Sequence, residues 1–195
     1  ASGTPTIQVF RRLDEENARI PFIAPDYQDG SSIATQHLID QGCKRIAFMG
    51  GLDGRPVTHE RMSGYLTVLS QHGQDPLILT GQSTRAFGKH MAQQLRDQHP
   101  DVDGILCFND LVALGVLSAC AEHGPRVGTD LRVIGFDDIE DSRDSFPPLS
   151  SVSCNIPELA QTTAQSLLTW IQDRTPPAAS TRIPVSLVKR ASSVG

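Results

Sequence analysis

The α/β character of this chain is visible first in residues 45–73, RIAFMGGLDGRPVTHERMSGYLTVLSQHG. The apolar run at 45–49 predicts a short buried strand, and a glycine-rich loop follows it. Four apolar side chains then recur at the i, i+3, i+4, i+7 spacing of an amphipathic helix: Met62, Tyr65, Leu66 and Leu69. Gly73 ends that helix, because the residue after a helix often needs a positive φ.

The same strand, loop and helix unit recurs on both sides of this segment. Further strands are predicted at 77–79, 105–108 and 131–136, and further helices at 33–41, 87–95 and 111–117. Asn109 and Asp110 are N-cap candidates for the last of these helices. Strands that alternate with helices imply parallel pairing with right-handed crossovers. We therefore predict an α/β fold with doubly wound parallel sheets.

The two ends of the chain depart from this repeat. Thr6–Phe10 and Ile20–Ala24 are predicted as extended segments around a polar loop, and Ile183–Val188 as the last strand. A helix before that strand carries apolar residues at Ala160, Ala164, Leu167, Leu168 and Ile171. This order predicts a chain that leaves one lobe, builds a second and crosses back.

Composition excludes several classes of protein. The net charge is −5 and the basic residues are scattered, so we expect no DNA contact by this chain itself. No apolar run approaches the ~20 residues of a membrane helix, and no secretory signal opens the chain. The four cysteines lack CxxC spacing: Cys43, Cys107, Cys120 and Cys154. Three of them stand in apolar or half-apolar contexts, which predicts buried free thiols in a reducing cytosol, with disulfides as the alternative.

The sequence motifs of common enzymes are missing. There is no GxGxxG, P-loop, HExxH or GxSxG pattern, and the six histidines show no metal-ligand spacing. We therefore expect a protein that is not an enzyme and that holds neither a cofactor nor a metal.

Polar side chains follow four of the predicted strands, at the edge where open α/β sheets bind ligands. They are Asp26, Tyr27 and Asp29, then Arg61, then Asn109 and Asp110, and finally Asp137 and Asp138. Carboxylates accept hydrogen bonds from hydroxyls and arginine donates in a fork, so this set suits a polyhydroxylated ligand. Each residue also has a structural alternative: helix capping for Asp29, Asn109 and Asp110, a surface position for Arg61, and a solvated turn for the last two aspartates.

Seven segments, in this order, carry a resemblance to a known family: 30–42, 45–51, 61–65, 108–115, 133–139, 147–152 and 184–190. They include Arg61-Met62-Ser63-Gly64-Tyr65 and Val133-Ile134-Gly135-Phe136-Asp137-Asp138-Ile139. On these motifs the chain, from about Pro5 to Ser192, resembles the effector-binding domain of the lac repressor/gal repressor family of bacterial transcription regulators.

The resemblance implies a periplasmic-binding-protein-like architecture, with two lobes joined by three crossings and a small effector in the cleft. Residues 1–41 and 153–183 would form what remains of a truncated N-terminal lobe, and residues 42–152 and 184–195 the C-terminal lobe. The helix-turn-helix and hinge helix of the family have no counterpart in the sequence. DNA binding is therefore expected only through that N-terminal module in a longer protein.

The resemblance also implies an effector site. Asp29, Arg61, Asn109 and Asp137 match the family's effector contacts. Ser83 and Ile156 stand near positions that are often aromatic in the family. Stacking is therefore expected from Tyr27, Phe108 or Phe136, or is absent. We place Tyr27 and Phe136 with the four contacts as the predicted ligand-binding residues.

The function implied is that of the ligand-sensing domain of a cytoplasmic repressor, which responds to a small sugar or sugar acid. Homodimers are expected, with the apolar helices near 65–95 and 110–121 as candidate surfaces. The alternative is a periplasmic sugar-binding protein of a transporter, which shares the architecture. A small α/β enzyme is the third hypothesis.

Overall fold

Two sheets and the helices around them make up the computed structural model, which describes residues 4–11 and 20–194. The strands are β1 (Gln8–Val9), β2 (Phe22–Pro25), β3 (Ile46–Met49), β4 (Leu77–Leu79), β5 (Gly104–Cys107), β6 (Arg132–Asp137), β7 (Ser150–Ser153), β8 (Ser180–Ile183) and β9 (Ser186–Val188). The helices are α1 (Tyr27–Asp40), α2 (Pro56–Gln71), α3 (Arg85–Gln98), α4 (Asp110–His123), α5 (Glu140–Asp144) and α6 (Ile156–Asp173). The chain divides into a smaller unit, Ala1–Asp26 with Cys154–Val185, and a larger unit, Tyr27–Ser153 with Ser186–Gly195.

The larger unit contains a six-stranded sheet in the order β4-β3-β5-β6-β7-β9. Its neighbouring strands are parallel except for the antiparallel pair β7 and β9. Ala47 and Ile105 share a core with residues of α3 and α4. On alternate positions, the Phe48 ring lies 5.7 Å from that of Tyr65 on α2. Since successive strand residues point to opposite faces, helices cover both faces of the sheet, which confirms the doubly wound prediction.

The smaller unit contains a three-stranded parallel sheet in the order β1-β2-β8. Its core consists of Ile23, Leu159 and Ile183. Helix α6 buries Leu159, whereas Leu168 and Ile171 are about half exposed. None of the five residues on the predicted apolar face of this helix is buried, so that prediction is wrong, and the helix packs on its sheet through Leu159 instead.

The predicted last strand, Ile183–Val188, is two strands in the structure. Strand β8 ends at Ile183 and pairs with β2, while β9 begins at Ser186 and pairs with β7. Pro184 follows β8 directly, and a proline has no N–H to donate to a sheet ladder. The proline thus ends one strand before the chain enters the second sheet.

Helix α1 begins at Tyr27, three residues before Gly30, so Asp29 lies inside its first turn and does not cap it. The structure places α1 in the larger unit, whereas the predicted boundary follows residue 41. Close packing explains the difference: a Cβ atom on Gly64 of α2 would lie 2.1 Å from the carbonyl oxygen of Gln28. The glycine lets the two helices approach backbone to backbone.

Three further predictions concern the cysteines, membrane-spanning helices and the loop after Phe10. All four cysteines are free thiols, as predicted, and burial raises the pKa of Cys43 to about 11. Among the described helices, none is both long and apolar enough to cross a bilayer. The predicted polar loop after Phe10 falls mainly on residues 12–19, which lie outside the described residues.

Candidate functional site

Arg61 is the central side chain of the candidate site. It lies on the buried face of α2, and its side chain is only 5% exposed. One terminal nitrogen donates to Asp137 Oδ1 at 3.0 Å, and the other donates to the carbonyl oxygen of Phe108. Phe108 follows β5 and Asp137 ends β6, so the guanidinium bridges the carboxyl ends of two neighbouring parallel strands. The surface alternative for Arg61 is therefore wrong.

Three aromatic rings surround this guanidinium. Its central carbon lies 3.8 Å from the ring centroid of Phe136, 4.6 Å from that of Phe108 and 4.9 Å from that of Tyr27. Tyr27 and Phe136 are buried, while Phe108 is half-buried. A cation over aromatic faces is stabilised by the ring quadrupoles, more so when water is excluded. The rings and Asp137 together offset the loss of hydration of a buried charge.

The glycine-rich loop after β3 permits this packing. Gly50 and Gly51 have φ of 98° and 78°, a region that side chains rarely adopt. A Cβ atom on Gly51 would also lie 2.6 Å from a ring carbon of Phe108 and 2.9 Å from Thr58. The loop therefore needs glycine both for its turn and for its closeness to the Phe108 ring.

Asn109 is the N-cap of α4, as one alternative held. Its Oδ1 accepts a hydrogen bond from the Val112 N–H at 3.0 Å, while its Nδ2 makes a long contact of 3.5 Å with the Ser83 carbonyl oxygen. Its side chain is half-buried. The cap fixes the side chain directly after Phe108 and leaves the amide nitrogen weakly bound. Asp110, the other cap candidate, is instead the first helical residue.

Asp137, the last residue of β6, and Asp138 directly after it form a strained turn, with φ of 108° and 52°. The Asp137 side chain is 39% exposed and faces Arg61. Asp138 is 9% exposed and accepts a hydrogen bond of 2.6 Å from Arg190, with Arg143 3.8 Å away. A solvated turn is therefore the wrong interpretation of this pair, because the second carboxylate is buried in an ion pair.

The contacts bring together four of the six predicted ligand-binding residues: Arg61, Asp137, Tyr27 and Phe136. Asn109 directly follows Phe108, whose ring lies against the Arg61 guanidinium. Asp29 lies two residues after Tyr27 and is exposed, in a helical turn that favours a negative charge.

The six predicted ligand-binding residues do not include Phe108 or the buried Asp110. The sequence offers Phe108 as a stacking candidate, and the structure places its ring against Arg61. Asp110 stands among the polar residues at strand ends, but capping is the simpler interpretation because an acidic residue in the first turn of a helix is common. Among the described residues, no three histidine, cysteine, aspartate or glutamate side chains gather as a metal site would need.

Comparison with known proteins gives one family match. Residues 35–193 match the model of the periplasmic binding protein-like domain. The ribose operon repressor of Halalkalibacterium halodurans is 28% identical over 179 residues, which are 92% of this chain and 54% of that protein. The lactose operon repressor of Escherichia coli is 30% identical over 169 residues, 86% of this chain and 47% of that protein. The chain thus spans about half the length of the curated relatives it matches.

Solved structures of transcriptional regulators are also similar to this chain. The complex of the transcriptional regulator CelR with cellobiose superposes with a TM-score of 0.88 at 28% identity, over 97% of this chain and 59% of that one. A LacI family regulator from Enterococcus faecium with bound ribose gives 0.86 at 26% identity, over 97% and 70%. The lac repressor dimer bound to operator and the anti-inducer ONPF gives 0.86 at 27% identity, over 97% and 63%.

Proposed function

Because this chain belongs to the periplasmic binding protein-like domain family of lac repressor-type regulators, we propose that it is the ligand-sensing domain of a transcriptional repressor. Its effector is a small sugar or sugar acid. The observation that carries this proposal is the Arg61–Asp137 pair at the carboxyl edge of the larger sheet. Such an edge is where open α/β sheets bind ligands.

The chemistry of the pair fits a polyhydroxylated ligand. The partly exposed Asp137 carboxylate accepts hydrogen bonds from hydroxyls, and Arg61 donates to hydroxyl or carboxylate oxygens. Asn109 adds a donor that is held weakly in the structure. Asp29 supplies a second exposed acceptor.

The aromatic residues divide into two roles. Tyr27 and Phe136 are buried against the guanidinium and hold it in place, so their part in ligand binding runs through Arg61. Phe108 is half-buried and can offer part of its ring to the apolar face of a sugar. The proposed site is therefore Asp29, Arg61, Asn109 and Asp137, with Tyr27 and Phe136 in support and Phe108 added.

The named relatives favour a repressor over a periplasmic transport protein. The curated relatives above are operon repressors, and two of the similar structures hold ribose or cellobiose. They are regulators and not enzymes, and we infer the same of this chain. A regulator acts where the DNA is, so we propose a cytoplasmic location, which also suits four free thiols.

The proposed regulation is a two-state equilibrium of the whole protein. An effector that binds one state more tightly shifts the population toward it, and the two states differ in affinity for the operator. DNA binding is proposed for the longer protein, since a lac repressor of greater length is known bound to operator.

Homodimers are proposed to form through the larger unit. Leu111 on α4 is 38% exposed and Phe146 is 92% exposed. Both lie close in sequence to the hydrogen bond between Asp110 and Ser142, which joins the two segments. Phe146 is the most exposed of the large apolar side chains among the described residues, and aromatic side chains are enriched in interfaces.

The proposed site is tested by thermal denaturation with D-ribose, cellobiose, other pentoses and hexoses, and sugar acids. A ligand at 100 times its Kd should add about 2.7 kcal/mol to the free energy of unfolding, which is a readable rise in Tm. We expect at least one ligand to stabilise the protein. Asp137→Asn should abolish that shift, whereas Asp144→Asn, an exposed carboxylate on α5, should retain it.

Two results would contradict the proposal. A shift that Asp137→Asn leaves unchanged would place the binding site elsewhere. The absence of any shift across all the sugars and sugar acids would exclude this ligand class.

A further inference from the structure

Asp110 is a buried carboxylate that accepts three hydrogen bonds at the start of α4. The residue is 1% exposed. Its Oδ2 accepts from the Ile139 N–H and from Ser142 Oγ, each at 2.8 Å. Its Oδ1 accepts from Ser151 Oγ at 2.6 Å. One side chain thus connects α4 to the turn after β6, to α5 and to β7.

The turn that these bonds hold is the one that carries Asp137. Both Asp137 and Asp138 have positive φ, which costs a non-glycine residue energy and persists only where the surroundings enforce it. The N–H of Asp138 donates to Ser151 Oγ at 3.0 Å, and the next N–H, of Ile139, donates to Asp110 itself. Two successive backbone groups of the turn are therefore bound to Asp110 or to its partner Ser151.

Strand β6 is shaped to admit this carboxylate. A Cβ atom on Gly135 would lie 2.0 Å from Asp110 Oδ1. Only a residue without a side chain allows the strand to run directly against the carboxylate. Gly135 lies two residues before Asp137. The contact with Asp110 therefore fixes the path of the strand close to the point where the turn begins.

We propose that Asp110 is the positioning residue of the candidate site, which fixes the turn at 137–139 and so holds the Asp137 carboxylate opposite Arg61. Asp110 touches neither Arg61 nor a ligand in this assignment, and it acts through Asp137. The role of Asp137 as a ligand contact rests on the proposed function. Its pairing with Arg61 rests only on the 3.0 Å hydrogen bond between the two side chains.

The test needs no ligand, so it can fail independently of the proposed function. NMR of the Arg61 guanidinium reports the rotation of its terminal nitrogens, which the bond to Asp137 slows. We expect Asp110→Asn, which keeps the size of the side chain, to speed this rotation about tenfold, in keeping with the loss of one charge-assisted hydrogen bond. Ser151→Ala should act in the same direction. Asp144→Asn is the exposed control.

A double variant separates positioning from a general loosening of the structure. If Asp110 acts through Asp137, then Asp110→Asn should add nothing to the rotation rate in an Asp137→Asn background. Backbone amide signals of β3 and β4 should stay unchanged in both variants. An unchanged rotation rate in Asp110→Asn and Ser151→Ala, or an additive effect in the double variant, would overturn the proposal.

A pH series gives a second readout. Burial raises the pKa of Asp110 to about 6, with a smaller contribution from Asp137, against the hydrogen bonds that lower it. The other charged or titratable groups nearby are Cys107 on β5 and, beyond Ser151, Asp138 with Arg190 and Arg143. We expect Arg61 rotation to quicken as the pH falls from 7.5 to 5 and this response to vanish in Asp110→Asn. A response that persists in the variant would count against the assignment.

Discussion

The buried charges of Arg61 and Asp110 are stabilised in different ways. Arg61 is matched by a carboxylate, a carbonyl oxygen and three aromatic rings. Asp110 has three hydrogen-bond donors but no cation bound to it among the described contacts, and its pKa rises to about 6. Ionised Asp110 therefore lowers stability at neutral pH. Proteins keep such groups where a site requires them.

The pH dependence of stability should reveal Asp110. Below its ordinary pKa of 3.8, the carboxyl is protonated in both the folded and the unfolded state. As the pH rises through about 6, the folded protein must release a proton that it binds more tightly than the unfolded chain does. The free energy of unfolding should then fall by about 2 kcal/mol between pH 4 and 7 on account of this group.

Urea denaturation at pH 4, 5, 6 and 7 checks this expectation. The curve of Asp110→Asn should lack the decline, so the difference between variant and parent should change with pH. Asp144→Asn should keep the parental decline. Parallel curves for Asp110→Asn and the parent would show that burial does not shift this carboxyl.

At the scale of single residues, the sequence identifies some residues of the candidate site and cannot identify others. Arg61 and Asp137 are selected because polar residues at strand ends point to one edge of a sheet. The rule also selects Asp110, but it does not predict that Asp110 binds the turn, because its three partners lie 29 to 41 residues away in the chain. Only the pairing of β6 with β7 brings Ser151 beside the turn.

The packing of α3 against α4 depends on two glycines. Gly88 on α3 lies against the backbone of α4, and Gly115 on α4 lies against the backbone of α3. A Cβ atom on Gly88 would lie 2.0 Å from the carbonyl oxygen of Val112. One on Gly115 would lie 2.1 Å from the carbonyl oxygen of Arg85 and 2.7 Å from the Lys89 nitrogen. Backbone atoms cannot move aside as a side chain can, so any methyl group here must separate the helices.

Gly115→Ala should therefore destabilise the protein, although alanine favours a helix by about 1 kcal/mol over glycine. We expect a net loss of about 1–3 kcal/mol, the usual range for overpacking. Denaturation by urea measures it. Ser70→Ala, at an exposed position of α2, serves as the control and should change stability by less than about 0.5 kcal/mol. A more stable Gly115→Ala protein would contradict the close crossing.

At the scale of elements, periodicity predicts the helices of the larger unit well. Tyr65 and Leu69 are buried on α2, as their spacing requires. Periodicity does not predict how completely neighbouring elements cover a helix face. Leu111 lies on the predicted apolar face of α4, yet it is 38% exposed. Nor does periodicity predict α5 and β7, which are short and polar and so carry no hydrophobic repeat.

For the whole molecule, the alternation of strands and helices predicts a parallel α/β fold, but not the order of the strands. The antiparallel pairing of β9 with β7 joins residues 33 to 37 positions apart. The crossing from one unit to the other at residues 184–185 depends on that pairing. Local pattern contains no information about such distant partners.

The proposed homodimer can be tested with one exposed side chain. Phe146 is 92% exposed in the larger unit, and burying a phenylalanine is worth about 1.5–3 kcal/mol. In a two-fold dimer each substitution counts twice, so Phe146→Asp should weaken the dimer by about 3–6 kcal/mol, more than a hundredfold in Kd. Sedimentation equilibrium over a concentration series measures that constant. Ile171→Ser on α6, a half-exposed apolar residue of the smaller unit, should leave it unchanged. A parent protein that stays monomeric, or a Phe146→Asp dimer of parental affinity, would contradict an interface through the larger unit.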